Sequence, residues 1–424
     1  LMSSIQRTRK LALVDCNSFY VSCERLFNPR IRKKPVVVLS NNDGCIISRS
    51  NEAKALGIKM GEPYFKAKDI ILKNKVEVFS SNYSLYGDLS RRVMRTLKRF
   101  NAEIEVYSID EAFLDFSDFI NAERAIAIRE KVKRWTGIPI SIGLASTKTL
   151  AKVANHIAKK HTKNGVFILN NNNLQRILNI FPVEDLWGIG IKYARRLNYA
   201  GIYTALQFRD LDTDWIKRNF SINGVRLQDE LKGIKHYNIE SVLPRKKTIC
   251  TTRSFGQEIQ DYMILKEAIS NFANSCATKL RKEESCCSSI SVFLTTNRFN
   301  TKTSQYCPSI DLYFATPTND SVEIVSKANC ALKLIYKKNY LYKKAGVIVK
   351  NIISQAEVQM SLFDTVDRRK KRKLMCSIDR INMLMGRDKV YLASQGVQKS
   401  WTIKKQQLSP CYTTQFSDLL TVKI

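Results

Sequence analysis

The spacing of apolar and polar residues changes several times along this chain, and each change marks an element. The apolar run "LALVDCNSFYVSC" (11–23) reads as strand, and "KPVVVLS" (34–40) as a second strand with proline at its entry. "SRSNEAKALGI" (48–58) predicts a short helix ended by Gly57, then a loop containing Gly61 and Pro63. In "SLYGDLSRRVMRTLKRF" (84–100), Leu85, Leu89, Val93 and Leu97 recur at helical spacing. "EIEVYSIDEAFLDFS" holds two strand-like runs, "NAERAIAIREKVKRW" a helix, "GIPISIGLAS" a strand and "TKTLAKVANHIAKK" another helix. This alternation predicts an α+β core with one mixed sheet over roughly residues 10–180.

The character then shifts. "VEDLWGIGIKYARRLNYAGIYTALQF" (183–208) reads as two short helices joined through a Gly-Ile-Gly turn. A third module, with helical "LKEAISNFANSCATKLRKE" and strand-like "SSISVFL", spans 244–352. Residues 353–374 read as a linker with a basic run at 368–373, and 375–424 close the chain. A length of 424 residues suggests roughly two to four domains.

Composition narrows the function classes. No apolar run approaches the ~20 residues of a spanning helix. The basic N-terminal stretch lacks the apolar core and small-residue cleavage site of a secretory signal, so a cytoplasmic, nucleoid-associated protein is expected. Eleven cysteines, an odd count with several in apolar runs, fit reduced thiols; three histidines and no second cysteine pair near "SCC" (285–287) argue against zinc. Charge is the strongest global signal: 70 basic against 38 acidic residues, net +32. The basic excess appears in 1–243, in 244–352 and in 364–424, which points to a long polyanion contacted by several modules. Nucleic acid fits; an anionic membrane surface is the alternative, but no long basic amphipathic helix supports it.

Against this background, "VYSIDEAFLDFSD" (106–118) sets Asp110 and Glu111 side by side in an otherwise strand-like, apolar run. Unpaired charge there is costly to bury. Asp15 lies at the end of another apolar strand, "LALVD". If the two segments are sheet neighbours, three carboxylates meet at one edge, where Mg²⁺ and substrate phosphates would make the cluster favourable. Solvated turn acids, or salt-bridge partners for the many lysines, are the other reading of the spacing.

"DCNSFYVSCE", "NNDGCIISRSNEAKALGIKMG", "SSNYSLYGD", "YSIDEAFLD" and "TKTLAKVANHIAKK" occur in an order and at separations that closely resemble the Y-family (lesion-bypass) DNA polymerases. Within them the chain looks like the UmuC-like group, the catalytic subunits of bacterial DNA polymerase V, from about Lys10 to the C-terminus. The resemblance implies a multidomain right-hand polymerase with a mixed-sheet palm (10–34 and 83–180), small fingers (35–82) and a helical helix-hairpin-helix thumb (181–243). An α/β little finger (244–352), a linker with a clamp-binding peptide (353–374) and a UmuC-type C-terminal extension (375–424) would follow. The implied function is error-prone translesion synthesis in the SOS response to DNA damage, by two-metal nucleotidyl transfer from dNTP to a primer 3′-hydroxyl.

By that resemblance Asp15, Asp110 and Glu111 are the metal-binding acids, with the Cys16 carbonyl as a further ligand for two Mg²⁺ ions, for which Mn²⁺ would substitute. Tyr20 matches the steric gate against a 2′-hydroxyl. Phe19 would pack beside the nucleotide, Lys54 and Lys159 would meet the triphosphate, and Asn51 stands where some relatives carry a phosphate-contacting tyrosine. Ile46, Ile47 and Ser48 would lie near the nascent base pair. Gly188 and Gly190, in "WGIG", resemble a helix-hairpin-helix turn, followed by Lys192, Arg195 and Arg196. Arg245, Lys246, Lys247 and Arg253 are candidates for gripping duplex backbone. "QMSLF", Gln359, Met360, Ser361, Leu362 and Phe363, looks like a sliding-clamp-binding peptide. The implied partners are primer-template DNA, a processed UmuD dimer, RecA and the sliding clamp, with no membrane. A non-catalytic DNA-binding scaffold and a self-sufficient single-subunit bypass polymerase are the rival readings.

Overall fold

The computed structural model describes residues 10–100, 102–116, 120–242, 244–386, 388–397 and 399–420; the basic stretch before Lys10 lies outside them. The chain forms two compact units, one of Leu1–Ser40, Gly44–Leu243 and Gln407–Ile424, the other of Asn41–Asp43 and Pro244–Gln406.

The first unit runs β1 (Lys10–Cys16), α1 (Phe19–Phe27), β2 (Val36–Leu39), β3 (Ile46–Arg49), α2 (Asn51–Ala55), α3 (Tyr64–Lys73), β4 (Glu77–Ser80) and α4 (Tyr83–Leu97). It continues with β5 (Glu103–Val106), β6 (Glu111–Phe116), α5 (Ala122–Thr136), β7 (Ile140–Ala145), α6 (Lys148–His161) and β8 (Val166–Ile168). The helices α7 (Asn171–Ile180), α8 (Ile191–Tyr199), α9 (Ala205–Arg209) and α10 (Thr213–Leu231) follow. A mixed sheet has the order β5-β6-β1-β7-β8, with β1 antiparallel to β6 and β7, and β8 parallel to β7. β1 is buried on both faces, which is why it reads as a continuous apolar run. Ala12, Val14 and Cys16 face one core, Leu11 and Leu13 the other. α6 lies so close to β7 that a Cβ at Gly143 would stand 2.1 Å from the Asn155 amide nitrogen. A smaller sheet, β3-β2-β4, has its own core of Val37, Leu39, Ile46, Ile58 and Ile71 with their neighbours.

The second unit comprises β9 (Thr248–Ile259), α11 (Tyr262–Lys282), β10 (Ser285–Thr296), β11 (Ser309–Thr318), α12 (Ser321–Ile335), β12 (Tyr342–Ser354) and α13 (Arg368–Leu384). Its antiparallel sheet, β11-β10-β12-β9, shares one core with α11 and α12.

The structure corrects three readings. The strand expected over 11–23 stops at Cys16; Ser18 takes a left-handed φ of 43° and α1 begins at Phe19. The apolar alternation at Phe19, Val21 and Cys23 mimicked a strand, while a tertiary bond, Asn17 N–H to the Pro139 carbonyl (2.9 Å), and a local one, the Ser22 hydroxyl to the Asn17 carbonyl (2.7 Å), impose the turn. The Gly-Ile-Gly segment does not join two α-helices: a 3₁₀ turn at Val183–Asp185 precedes it and α8 follows, while α8 and α9 are joined through 200–204. The linker expected over 353–374 ends in helix, because Asp367 caps α13 (its side chain accepts from the Lys370 N–H) and the basic run forms that helix's first turns. Residues 375–424, expected as a C-terminal extension, divide their packing between the two units at Gln407.

Candidate active site at the end of the five-stranded sheet

Asp15 and Glu111 are directly opposed across the antiparallel pair β1·β6, and the Cys16 N–H bonds the Asp110 carbonyl at 2.9 Å. Strand alternation puts Asp15, Glu111 and Leu13 on the face that α6 covers. There Lys159 Nζ meets Asp15 Oδ2 at 2.5 Å and Lys152 Nζ meets Glu111 Oε2 at 3.0 Å. Lys148 Nζ meets Glu105, on β5, at 2.5 Å. The spacing i, i+4, i+11 lines the three lysines along one face of α6, so each answers an acid on a different strand. The buried Glu230 of α10 anchors that helix by accepting the Thr149 N–H at 3.0 Å.

Asp110 occupies the turn before β6, held by the Ser108 hydroxyl (2.7 Å to Oδ1); the same hydroxyl accepts the Glu111 N–H at 3.1 Å. Burial pushes the Asp15 carboxyl up to about 7, with Lys159 opposing the rise and the Glu111 charge adding to it. Burial and the charges of Asp15 and Asp110 raise the Cys16 thiol well above its ordinary range, leaving the backbone carbonyl as its available donor. Among the described residues, no group of three acidic, thiol or imidazole side chains stands ready as a metal cage. The expected carboxylates do share one sheet end, but lysines and Ser108 hold them. This donor set fits divalent cations: hard oxygens at one edge, with Asp15 buried and its charge paired, among the described residues, with a lysine whose side chain remains 35% exposed.

Around this edge the other expected residues fall into two groups. Tyr20, in the first turn of α1, is half-buried; its ring stacks on Tyr86 (4.6 Å, 15°) and meets Tyr83 edge-on at 6.1 Å. Burial, then the neighbouring Tyr83 and Asp110, push its hydroxyl up to about 12, so the ring is neutral. Lys54 donates to Asn51 Oδ1 at 3.1 Å. Partial desolvation and the charges of Arg49, Lys159 and Lys160 push Lys54 below the usual lysine value. These four cations form a cluster whose repulsion an anion would relieve. Arg49 and Lys152 were missed by sequence reasoning; the i, i+7 spacing of Lys152 and Lys159 was the available signal.

Phe19 is buried in the sheet core, Ile46 has no exposed surface and Ser48 is buried, whereas Ile47 is half-buried.

Elsewhere in the first unit, Gly188 takes φ +95° and Gly190 caps α8, with open space where either Cβ would stand. Lys192 and Arg195 are exposed, whereas Arg196 bonds Asn219. In the second unit, Arg245, Lys246 and Lys247 are exposed ahead of β9, Arg253 is exposed on it, and Lys246 pairs with Glu283. Gln359 and Met360 are exposed, Ser361 is half-buried, and Leu362 and Phe363 stand 100% and 92% exposed. That excludes a core role for this apolar pair.

Residues 14–156 match the impB/mucB/samB family, 246–362 match its C-terminal domain, and 372–422 match a domain of unknown function. Protein UmuC of Salmonella typhimurium is 43% identical over 97% of this chain and 100% of its own length. Protein ImpB of the same organism is 40% identical over 96% and 98%, and DNA polymerase IV 1 of Bacillus subtilis is 26% identical over 95% of each chain. A Y-family DNA polymerase chimera of Dbh and Dpo4 superposes with a TM-score of 0.65 at 23% identity, covering 81% of this chain and 99% of that one. DinB from Sulfolobus solfataricus gives 0.53 over the same shares at 23% identity.

Proposed function

The chain belongs to the impB/mucB/samB family, a translesion DNA-directed DNA polymerase of the Y-family related to UmuC, and from that premise we propose how its residues divide the work. It extends primer-template DNA with dNTPs. The observation that carries the site assignment is the direct pairing of Asp15 with Glu111 across β1·β6, with Asp110 in the adjoining turn. Divalent ions, two Mg²⁺ with Mn²⁺ able to substitute, would be held by Asp15, Asp110, Glu111 and the Cys16 carbonyl and would stabilise charge on the attacking and leaving oxygens.

The primer 3′-hydroxyl gives up its proton to solvent as its oxygen bonds the α-phosphorus; the bond to the α,β-bridging oxygen breaks, and pyrophosphate leaves with that electron pair. Before substrate arrives Lys159 and Lys152 compensate Asp15 and Glu111 and the Ser108 hydroxyl holds Asp110; on binding, Asp110 leaves Ser108 and Lys159 exchanges Asp15 for a phosphate oxygen. Lys54, Arg49 and Lys160 gather the triphosphate, with Asn51 beside Lys54. Tyr20 excludes a 2′-hydroxyl. The five-stranded sheet and its helices serve as palm, the β3-β2-β4 layer as fingers, 181–243 as thumb and the second unit's sheet as little finger. The amides around Gly188 and Gly190, with Lys192, hold phosphate, while Arg245, Lys246, Lys247 and Arg253 hold duplex backbone without reading sequence. Leu362 and Phe363, presented to solvent with Gln359, dock the sliding clamp. Kinship with UmuC supports a processed UmuD dimer and RecA as partners in the SOS response, in the bacterial cytoplasm. Among the described residues, no helix is long and apolar enough to cross a membrane.

Primer extension on undamaged and abasic templates tests this reading, comparing wild type with Asp110→Ala, each with and without processed UmuD and activated RecA. Bypass by wild type alone, dependent on those partners, is expected. Equal extension by both proteins would remove Asp110 from the reaction. Partner-independent synthesis would favour a single-subunit polymerase, and silence from both proteins under every condition a scaffold.

A further inference from the structure

The first unit is completed by chain from far along the sequence. At the end of β4, the Ser80 N–H donates to the Gln407 carbonyl at 2.8 Å, and the Gln407 N–H donates to Ser80 Oγ at 3.0 Å. Asn82 caps α4 by accepting the Leu85 N–H, and its Nδ2 donates to the Ser409 carbonyl (2.9 Å) and Oγ (3.1 Å) and to the Pro410 carbonyl (3.2 Å). The Ser409 hydroxyl then donates to Glu24 Oε1 at 3.1 Å, the oxygen that also accepts the Tyr86 hydroxyl at 2.5 Å. Glu24, Asn82 and Ser409 are 2%, 2% and 7% exposed. One helical turn further along α1, Phe27 stacks on Tyr412 at 4.7 Å and 16°.

Tyr86 joins this network to the nucleotide site. Its hydroxyl is fixed by Glu24, while its ring lies flat against Tyr20. We propose that the returning tail, 407–420, is a positioning element for sugar selection, in which Ser409 acts through Glu24 and Tyr86 to hold the Tyr20 ring. The inference rests on reading Tyr20 as the sugar gate. A gate that distinguishes one hydroxyl must be located to within about 0.5 Å, which requires its supporting side chains to be locked by packing and hydrogen bonds. The Ser409 hydroxyl does this by accepting from Asn82 and donating to Glu24, in a buried chain whose members polarise one another. Asn82 adds a second coupling, since one amide both ends α4, which carries Tyr83 and Tyr86, and grips the tail. Part of the segment matching a domain of unknown function thereby acquires a role in the polymerase reaction.

The test is the ratio of kcat/KM for a matched dNTP to that for its rNTP, measured on the full-length protein with processed UmuD and activated RecA. Wild type is compared with Ser409→Ala, Ser409→Thr and Tyr20→Ala. Ser409→Ala is expected to lower the ratio about threefold to tenfold, the scale of one buried hydrogen bond. Ser409→Thr, which keeps the hydroxyl, should restore it. Equal losses with both nucleotides in Ser409→Ala, leaving the ratio unchanged while Tyr20→Ala collapses it, would overturn the proposal and spare the gate. An unchanged ratio in Tyr20→Ala would remove the gate reading and the proposal with it. If Ser409→Ala fails to fold, Tyr412→Leu loosens the tail without orphaning a buried polar group: a lowered ratio supports the proposal, an unchanged one overturns it.

Discussion

Two helix-covered sheets in this molecule solve the same burial problem with different chemistry. In the five-stranded sheet, Asp15, Glu105 and Asp115 are buried, and Lys148, also buried, reaches Glu105 at 2.5 Å. In the four-stranded sheet, the buried polar strand positions among the described residues are hydroxyls: Thr251, Ser285, Ser289, Ser291, Thr296, Thr316, Thr318 and Ser354. Hydroxyls satisfy themselves locally and cost little, whereas buried ions require partners placed by another element. The first sheet therefore carries a standing electrostatic load, answered by α6 lysines at Asp15, Glu111 and Glu105 and by Lys235 at Asp115. The second carries its charge on its surface, where it meets a polyanion without desolvation.

That contrast is sharpest in mutational cost. Asp110→Ala or Glu111→Ala should reduce primer extension by about 10³-fold or more while the protein stays folded, because charge stabilisation at the reacting oxygens is lost; single-turnover extension beside a melting curve checks both halves. Lys148→Met leaves Glu105 buried with its charge unpaired and should destabilise by about 3–5 kcal/mol. The double variant Lys148→Met with Glu105→Gln should recover most of that loss in urea unfolding. Ser291→Ala, in the four-stranded sheet, should cost about 1 kcal/mol or less; a loss as large as that of Lys148→Met would erase the distinction between the sheets. Leu362→Ala with Phe363→Ala should abolish stimulation by the clamp and change stability by less than about 0.5 kcal/mol, since both side chains are exposed.

The smallest expected effect concerns how the second unit holds α13. Burial raises the Glu323 carboxyl, but hydrogen bonds from Lys371 and Arg368 outweigh it and leave it below its ordinary value. A carboxylate depressed in the folded state stabilises above its unfolded value, near 4.5, and that contribution disappears as pH falls through the lower folded value. Glu323→Gln should therefore cost about 1 kcal/mol at neutral pH and flatten the stability profile below pH ~4.5, with little difference from wild type in strong acid.

Local pattern made much of this protein legible. Helical spacing located α4, the segments read as helices after it became α5 and α6, and an apolar run marked β1 as a strand, which the fold buries on both faces. The ordered motifs singled out Asp15, Asp110, Glu111 and Tyr20 before any contact was visible. Readings failed where one pattern serves two structures: Phe19, Val21 and Cys23 alternate like a strand yet lie in α1.

By itself, then, the sequence determined which residue types stand at the end of which strand and the basic excess that selects a polyanion, because periodicity and composition are local or summed properties. Tertiary structure decided which lysine answers which acid, that Asp110 rests on Ser108, and that residues 407–420 return to a helix nearly the whole chain away. Those facts depend on register and on loop closure across hundreds of residues. A hydrogen bond between Ser409 and Glu24 leaves no periodic trace in either segment, so only the folded chain reveals it.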